Sequence, residues 1–139
     1  MRTKRFMIGA GIVVAAALPG RSASAHHSFA AEFDATKPVT LKGAVTKVEW
    51  GNPHIWVYLD VKDDQGSVQH WQCEGGPPNT LTRNGWSQNS LKFGDQVTID
   101  GVLAKDGSKT CNARVVKLPD GRSVFAGSAG GDAPPPPKQ

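Results

Sequence analysis

The chain has 139 residues, two cysteines and a formal net charge of +4. Four of its 16 basic residues and none of its 12 acids precede His26, so the rest of the chain carries equal numbers of acids and bases. Nucleic-acid-binding proteins usually show a basic patch, and we expect no nucleic-acid partner for a chain balanced in this way.

The first 25 residues have the order of a secretory signal peptide. A basic start, MRTKR, precedes the apolar run FMIGAGIVVAAAL, and Ala23-Ser24-Ala25 follows as a cleavage motif. The apolar run is shorter than the roughly 20 residues that span a bilayer as a helix. We therefore predict cleavage after Ala25, a periplasmic protein beginning at His26, and no membrane span after cleavage. A buried N-terminal helix is the alternative.

Residues 26–126 are predicted to form one small domain. The end of the chain, residues 127–139, reads GSAGGDAPPPPKQ and contains almost nothing that a core could bury. Such a composition is typical of a disordered or polyproline-type tail.

The first predicted strands lie in residues 38–50 and 54–61. The apolar phase of the first strand shifts between Gly43 and Lys47, which predicts a bulge or bend. The second strand alternates cleanly and places one apolar set inward, comprising Ile55, Val57, Leu59 and Val61.

A third strand is predicted in residues 67–76, a short helix around Leu81, and two further strands before and after residues 105–108. Asn79 is the predicted helix cap, and Gly85 fits the left-handed position after the helix, with Trp86 packing behind it. A short hairpin is predicted at Pro119-Asp120-Gly121. This order predicts an all-β fold, a small five-stranded OB-like Greek-key barrel with one short helix between strands 3 and 4. A sandwich-like or incomplete barrel is the alternative.

The two cysteines, Cys73 and Cys111, are predicted to form a disulfide, because an isolated pair in an oxidising compartment is most simply bridged. A thiolate metal ligand is the alternative.

Three segments carry a family resemblance: AHHSFAAEFD, VTLKGAVTKVEWGNPHIWVYLDV and GWSQNSLKFGDQVTIDG. Together they resemble a family of small exported proteins of Gram-negative bacteria that is a domain of unknown function. The resemblance covers about residues 26–118 and implies export and one compact domain. It implies no activity.

The histidines are the candidate metal ligands. If His26 is the first residue, its α-amine and imidazole can chelate one metal ion, and a second imidazole would complete a set of three nitrogens that suits Cu(II). His54 is the favoured distant ligand and His70 the second choice. His27 offers a competing mode, in which the amine, the His27 amide and the His27 imidazole bind copper. His70 and Cys73 cannot share a site, because strand positions three apart face opposite ways.

The alternative to a copper site is histidines that hydrogen-bond without metal. His54 would then cap a turn or bond a carboxylate such as Asp60 or Glu49, and His26 and His27 would be flexible.

A second candidate site consists of aromatic side chains on the first three strands. Trp50, Trp56 and Tyr58 could line a groove for a small ligand or an oligosaccharide, since aromatic rings on this face of OB-folds stack on sugars and bases. Burial of Trp50 and of Trp71 in the core is the alternative.

The sequence contains no nucleophile elbow, phosphate loop, zinc-type cysteine pair or haem motif, which favours a binding module over an enzyme. Copper is the only cofactor that we predict. An aromatic-groove binder, or a metal-free accessory protein that acts through protein contacts, remains the alternative function.

Overall fold

The computed structural model describes residues 29–127. The predicted signal peptide, His26, His27 and all but the first residue of the predicted tail lie outside this range. Two short helices and six strands are present in it: α1 (Phe29–Glu32), β1 (Phe33–Glu49), β2 (Trp56–Lys62), β3 (Val68–Glu74), α2 (Pro78–Arg83), β4 (Gln96–Ala104), β5 (Thr110–Lys117) and β6 (Ser123–Phe125).

The strands form one mostly antiparallel sheet in the order β3-β2-β1-β4-β5-β6, which confirms the all-β prediction. The parallel pairing of β3 with β5 links the two halves of this sheet. The strands β1, β2, β3, β5 and β4 therefore form a ring in which each strand pairs with the next, and only β6 lies outside it. The prediction of five strands was wrong by one, because the chain after the hairpin at Gly121 returns along β5 as the three-residue β6. Helix α2 lies between β3 and β4 as predicted.

The longest strand, β1, has two successive partners. Its first part pairs with β4 and its last part with β2, and Gly43 faces both Val97 and Val61. The register against β2 shifts between Val45 and Lys47, which confirms the predicted irregularity. The strand begins at Phe33, five residues before the predicted start.

The core lies inside the curved sheet. Ile55, Val57 and Leu59 are buried as the alternation on β2 predicts, while Val61 is only partly buried. Cys73 of β3 and Cys111 of β5 are fully buried and form the predicted disulfide, with their Cα atoms 4.5 Å apart. The thiolate-ligand alternative therefore does not apply.

Helix α2 covers one end of this core. Leu81 is fully buried, and the amides of Gly85 and Trp86 donate to the carbonyls of Thr82 and Leu81 in a Schellman-type ending. Gly85 has the left-handed φ of 89° that the sequence predicted. The predicted cap at Asn79 was wrong, because the helix already begins at Pro78, a position where a proline needs no amide partner.

Within residues 29–127, no helix is long and apolar enough to cross a membrane.

Candidate functional site

Two of the predicted site residues, Trp56 and Tyr58, share the outer face of β2 and β3. On β2 the alternation that buries Val57 and Leu59 leaves Trp56, Tyr58 and Asp60 on the opposite face. Their register partners on β3 are Glu74, Gln72 and His70, in that order. This face therefore carries two aromatic rings, two carboxylates and one imidazole in three adjacent rows.

His54 lies at the edge of this face, just before β2, and its imidazole Nδ1 contacts Oε1 of Glu74. Backbone hydrogen bonds hold the residues that follow each of them: the Ile55 amide donates to the Gly76 carbonyl, and the Gly75 amide donates to the Ile55 carbonyl. The Glu74 side chain is only 8% exposed and that of His54 28% exposed. The pair is thus a largely buried carboxylate–imidazole unit held by main-chain contacts on both sides.

This contact has a chemical consequence for the ring. When Nδ1–H donates to a carboxylate, the lone pair of a neutral imidazole is on Nε2, which is then the nitrogen that can bind a metal ion. Carboxylate–imidazole pairs of this kind commonly orient histidine ligands in metal sites. The His54 ring is therefore held in a defined orientation by Glu74.

His70 makes a similar contact in a different environment. Its Nδ1 lies 2.7 Å from Oδ1 of Asp60, but the His70 side chain is 84% exposed and that of Asp60 38% exposed. Asp60 was one of the carboxylates predicted to bond His54. In the structure Asp60 contacts His70 instead, and Glu74 contacts His54. Exposed pairs of this kind contribute little stability. Cys73 is buried on the opposite face from His70, as the three-residue spacing predicted.

A cavity of about 420 Å³ opens beside Trp56. Glu32 and Phe33, where α1 passes into β1, form one wall, and the loop after β4 forms another. Gln72 and Thr110 contribute polar groups, with Gln72 Nε2 donating to Thr110 Oγ1 over 3.1 Å. Trp56 is thus the one member of the predicted aromatic groove that borders this cavity.

Tyr58 belongs to a separate polar cluster. Its hydroxyl donates to Glu49 over 3.1 Å, Lys47 forms an ion pair with Glu49, and the Lys47 ammonium lies 5.2 Å from the centre of the Tyr58 ring. Hydrogen bonds from Lys47 and then from Tyr58 lower the pKa of Glu49. Burial, and then the bond to Glu49, raise the pKa of Tyr58.

Trp50 and Trp71 are partly buried and pack against the hydrophobic core. The structure therefore does not bring Trp50, Trp56 and Tyr58 together on one open wall. Of the four histidines that are candidate ligands, the structure describes His54 and His70. They lie on the same face, and each contacts a different carboxylate.

No group of three or more histidine, cysteine or carboxylate side chains converges as a metal site within residues 29–127. Of the two carboxylate–imidazole pairs in that range, His54 with Glu74 is the more buried.

Glu74 is the site residue that sequence reasoning missed. Extending the β3 alternation from His70 through Gln72 would have placed Glu74 on the face of His54 and Trp56. Asn112 of β5, the register partner of Glu74, is also buried, as is Thr110. Three buried polar residues side by side are unusual for the outside of a small β-domain, where such groups are normally exposed.

Comparison with known proteins gives a family. No curated protein and no solved structure matches the chain. A family model described as a family of unknown function, DUF6152, matches residues 13–113. Because this match covers most of the 139 residues, the chain belongs to that family.

Proposed function

We propose that the protein is an exported, periplasmic module that binds Cu(II) between its N-terminal histidine and His54. The observation that carries this proposal is the buried contact of His54 with Glu74, which orients one imidazole at the edge of a polar face. Signal cleavage after Ala25 would create the second half of the site, the α-amine and imidazole of His26.

The proposed donor set matches the preferences of the metal. Cu(II) binds imidazole and amine nitrogens in tetragonal geometry and heads the affinity order of the divalent first-row ions. The α-amine has an ordinary pKa of about 8, so it loses its proton to a metal at modest cost. Glu74 would act as the outer-shell partner that fixes the His54 ring, as carboxylates do in many histidine metal sites.

The path of the chain makes this pairing feasible. Helix α1 begins at Phe29, and an extended chain from His26 to Phe29 spans at most about 11 Å. The residues that follow, Glu32 and Phe33, border the same cavity as Trp56. Trp56 is in turn the register partner of Glu74. The chain therefore enters the described domain on the side where the His54–Glu74 pair lies.

A chain that begins at His26 tests the proposal. It should bind one Cu(II) with a visible d–d band, and intact mass of the exported protein should show the start at His26 and one bound copper. Adding Gly-Pro ahead of His26 removes the amine from the site, and the proline has no amide proton with which to rebuild a terminal chelate. Unchanged copper affinity in that extended chain would overturn the proposal.

One substitution distinguishes copper binding through His27 from copper binding between His26 and His54. His27→Ala should leave the spectrum of the His26–His54 site intact. Loss of the d–d band in His27→Ala would assign the copper to the amine, amide and imidazole of the terminal dipeptide and would remove His54 from the site.

A second candidate function rests on the cavity beside Trp56. We infer that a small polar ligand such as a sugar could stack on the Trp56 ring while Gln72 and Thr110 supply hydrogen bonds. Tryptophan fluorescence should then shift on titration with mono- and oligosaccharides, and Trp56→Phe should abolish the shift while Trp71→Phe retains it. The same shift in both variants, or none in the wild type, would reject this function.

The ring of pairings β1-β2-β3-β5-β4 supports the finer architectural proposal of an OB-like barrel with β6 as an addition. In such a barrel the faces of β2 and β3 are the usual ligand-binding surface, which is where both candidate sites lie.

A further inference from the structure

A second cavity, of about 420 Å³, lies on the outer face of the sheet away from Trp56. Lys42 of β1, Thr98 of β4 and Lys117 of β5 are consecutive register partners across three neighbouring strands, and all three border this cavity. Gln96, two residues before Thr98, borders it as well. The cavity is therefore flanked by two lysines with a hydroxyl and an amide between them.

The charged residues that line this cavity have one sign. Two lysines and no carboxylate are among the described residues that line it. Lys42 and Lys117 form no ion pair within residues 29–127, whereas Lys37 and Lys47 of the same sheet pair with Asp34 and Glu49. The formal charge of the chain after Ala25 is zero with neutral histidines, so this basic feature is local.

The spacing of the two lysines suits a doubly charged ligand. They are two strands apart, which puts their Cα atoms about 10 Å from each other at the usual strand separation. Side chains of this length can converge on one group between them, and like charges at such a distance repel each other until an anion is bound. Thr98 and Gln96 add neutral donors for the remaining oxygens.

We propose that this cavity, lined by Lys42, Gln96, Thr98 and Lys117, binds a phosphate-bearing group. A phosphoryl dianion has three acceptor oxygens and two charges, which matches two ammonium groups and two neutral donors better than a carboxylate does. The cavity is larger than inorganic phosphate needs and falls within the usual size range of small-molecule sites, so a phosphate ester fills it better than inorganic phosphate does. This site is independent of the proposed copper function.

The site is tested with metal-free protein in a buffer that contains a metal chelator and has a constant ionic strength. Backbone amide NMR titrations with glycerol phosphate, inorganic phosphate and acetate compare the ligand classes. Sedimentation with vesicles that contain phosphatidic acid, a phosphate monoester, against phosphatidylcholine vesicles, detects a lipid headgroup. We expect glycerol phosphate or the anionic vesicles to bind, to shift Gln96 and Thr98, and to outcompete acetate. The arm that binds more tightly identifies a soluble ester or a lipid as the source.

The matched variants are Lys42→Gln and Lys117→Gln, with Lys92→Gln as a control that removes the same charge outside the cavity. Each cavity variant should weaken binding about tenfold, and the control should not. Melting temperatures of all three variants establish that they are folded. Equal weakening by Lys92→Gln, acetate binding as tight as phosphate, or no binding in any arm would overturn the proposal.

Discussion

Gly43 of β1 approaches the Asp60 carbonyl of β2 so closely that a methyl group on Gly43 would overlap that oxygen. The contact occurs where β1 leaves β4 and takes β2 as its partner, because Gly43 is in register with both Val97 and Val61. A residue without a Cβ lets β2 close onto β1 at this point.

We therefore expect Gly43→Ala to destabilise the domain by about 1–3 kcal/mol, the usual cost of overpacking, because the new methyl can be accommodated only by moving backbone. Gly51→Ala is the matched control, since nothing lies within 4 Å of its Cβ position, and it should stay within about 0.5 kcal/mol. Urea denaturation followed by tryptophan fluorescence measures both. Equal midpoints for the two variants would contradict the close approach.

The Cys73–Cys111 disulfide should contribute on the order of 3–4 kcal/mol in the chain-entropy model, because the two residues are 38 positions apart. Reduction of the wild type should lower the denaturation midpoint accordingly. The double variant Cys73→Ala/Cys111→Ala should start from the lower stability and show no response to reductant. A wild type whose midpoint is the same in both redox states would argue against the bridge.

Asp63 closes the turn between β2 and β3 and accepts hydrogen bonds from the amides of Ser67 and Gln65 and from the Gln69 side chain. The Ser67 bond, and then the Gln69 bond, lower the pKa of Asp63 from its usual 3.8. Because the pKa of Asp63 is lower in the folded state, its carboxylate stabilises the fold fully above the unfolded-state pKa. That stabilisation is lost as the pH falls through the folded-state pKa. The turn should therefore keep its order down to a pH below 3.8.

Carboxyl NMR titration measures this pKa directly. Gln69→Ala should move the pKa of Asp63 upward toward its usual value. The pKa of Asp120, which is lowered by Arg122 in another turn, should not change in that variant. An Asp63 that titrates at or above 3.8 in the wild type would contradict the turn geometry.

Much of the fold could be predicted because local patterns agree with the tertiary structure. Alternation along β2 identified Ile55, Val57 and Leu59 as buried, and the left-handed position after α2 favours a glycine such as Gly85. The start of β1 could not be predicted, since Phe33 joins the sheet through pairing with Ala104 of the distant β4. The short β6 pairs with β5 across the predicted hairpin, but its three residues carry too little alternation to indicate a strand.

The candidate site could be predicted only in part. The alternation that buries Ile55, Val57 and Leu59 leaves His54 and Trp56 together on the other face of the predicted second strand, because the side chains of one strand alternate between its two faces. The partner of His54 comes from another strand, and which carboxylate it meets depends on the register between β2 and β3. In that register Asp60 lies opposite His70, and Glu74 lies at the end of the sheet next to His54.

These two histidines provide the sharpest test of the copper proposal. Each contacts a carboxylate through Nδ1, but His54 is largely buried beside Glu74 whereas His70 is exposed. His54→Gln retains an amide that can donate to Glu74 while removing the imidazole ligand, and His70→Gln is the matched control. In the chain that begins at His26, His54→Gln should lower the copper affinity by at least about 100-fold, and His70→Gln should leave it unchanged. Glu74→Gln should lower the copper affinity by about 10–100-fold, because the His54 ring would lose its orientation. Competition titrations with a calibrated copper chelator measure all three affinities. Equal effects of the two histidine substitutions would show that the copper does not use the oriented imidazole, and His54 would then serve only to pair the buried carboxylate of Glu74.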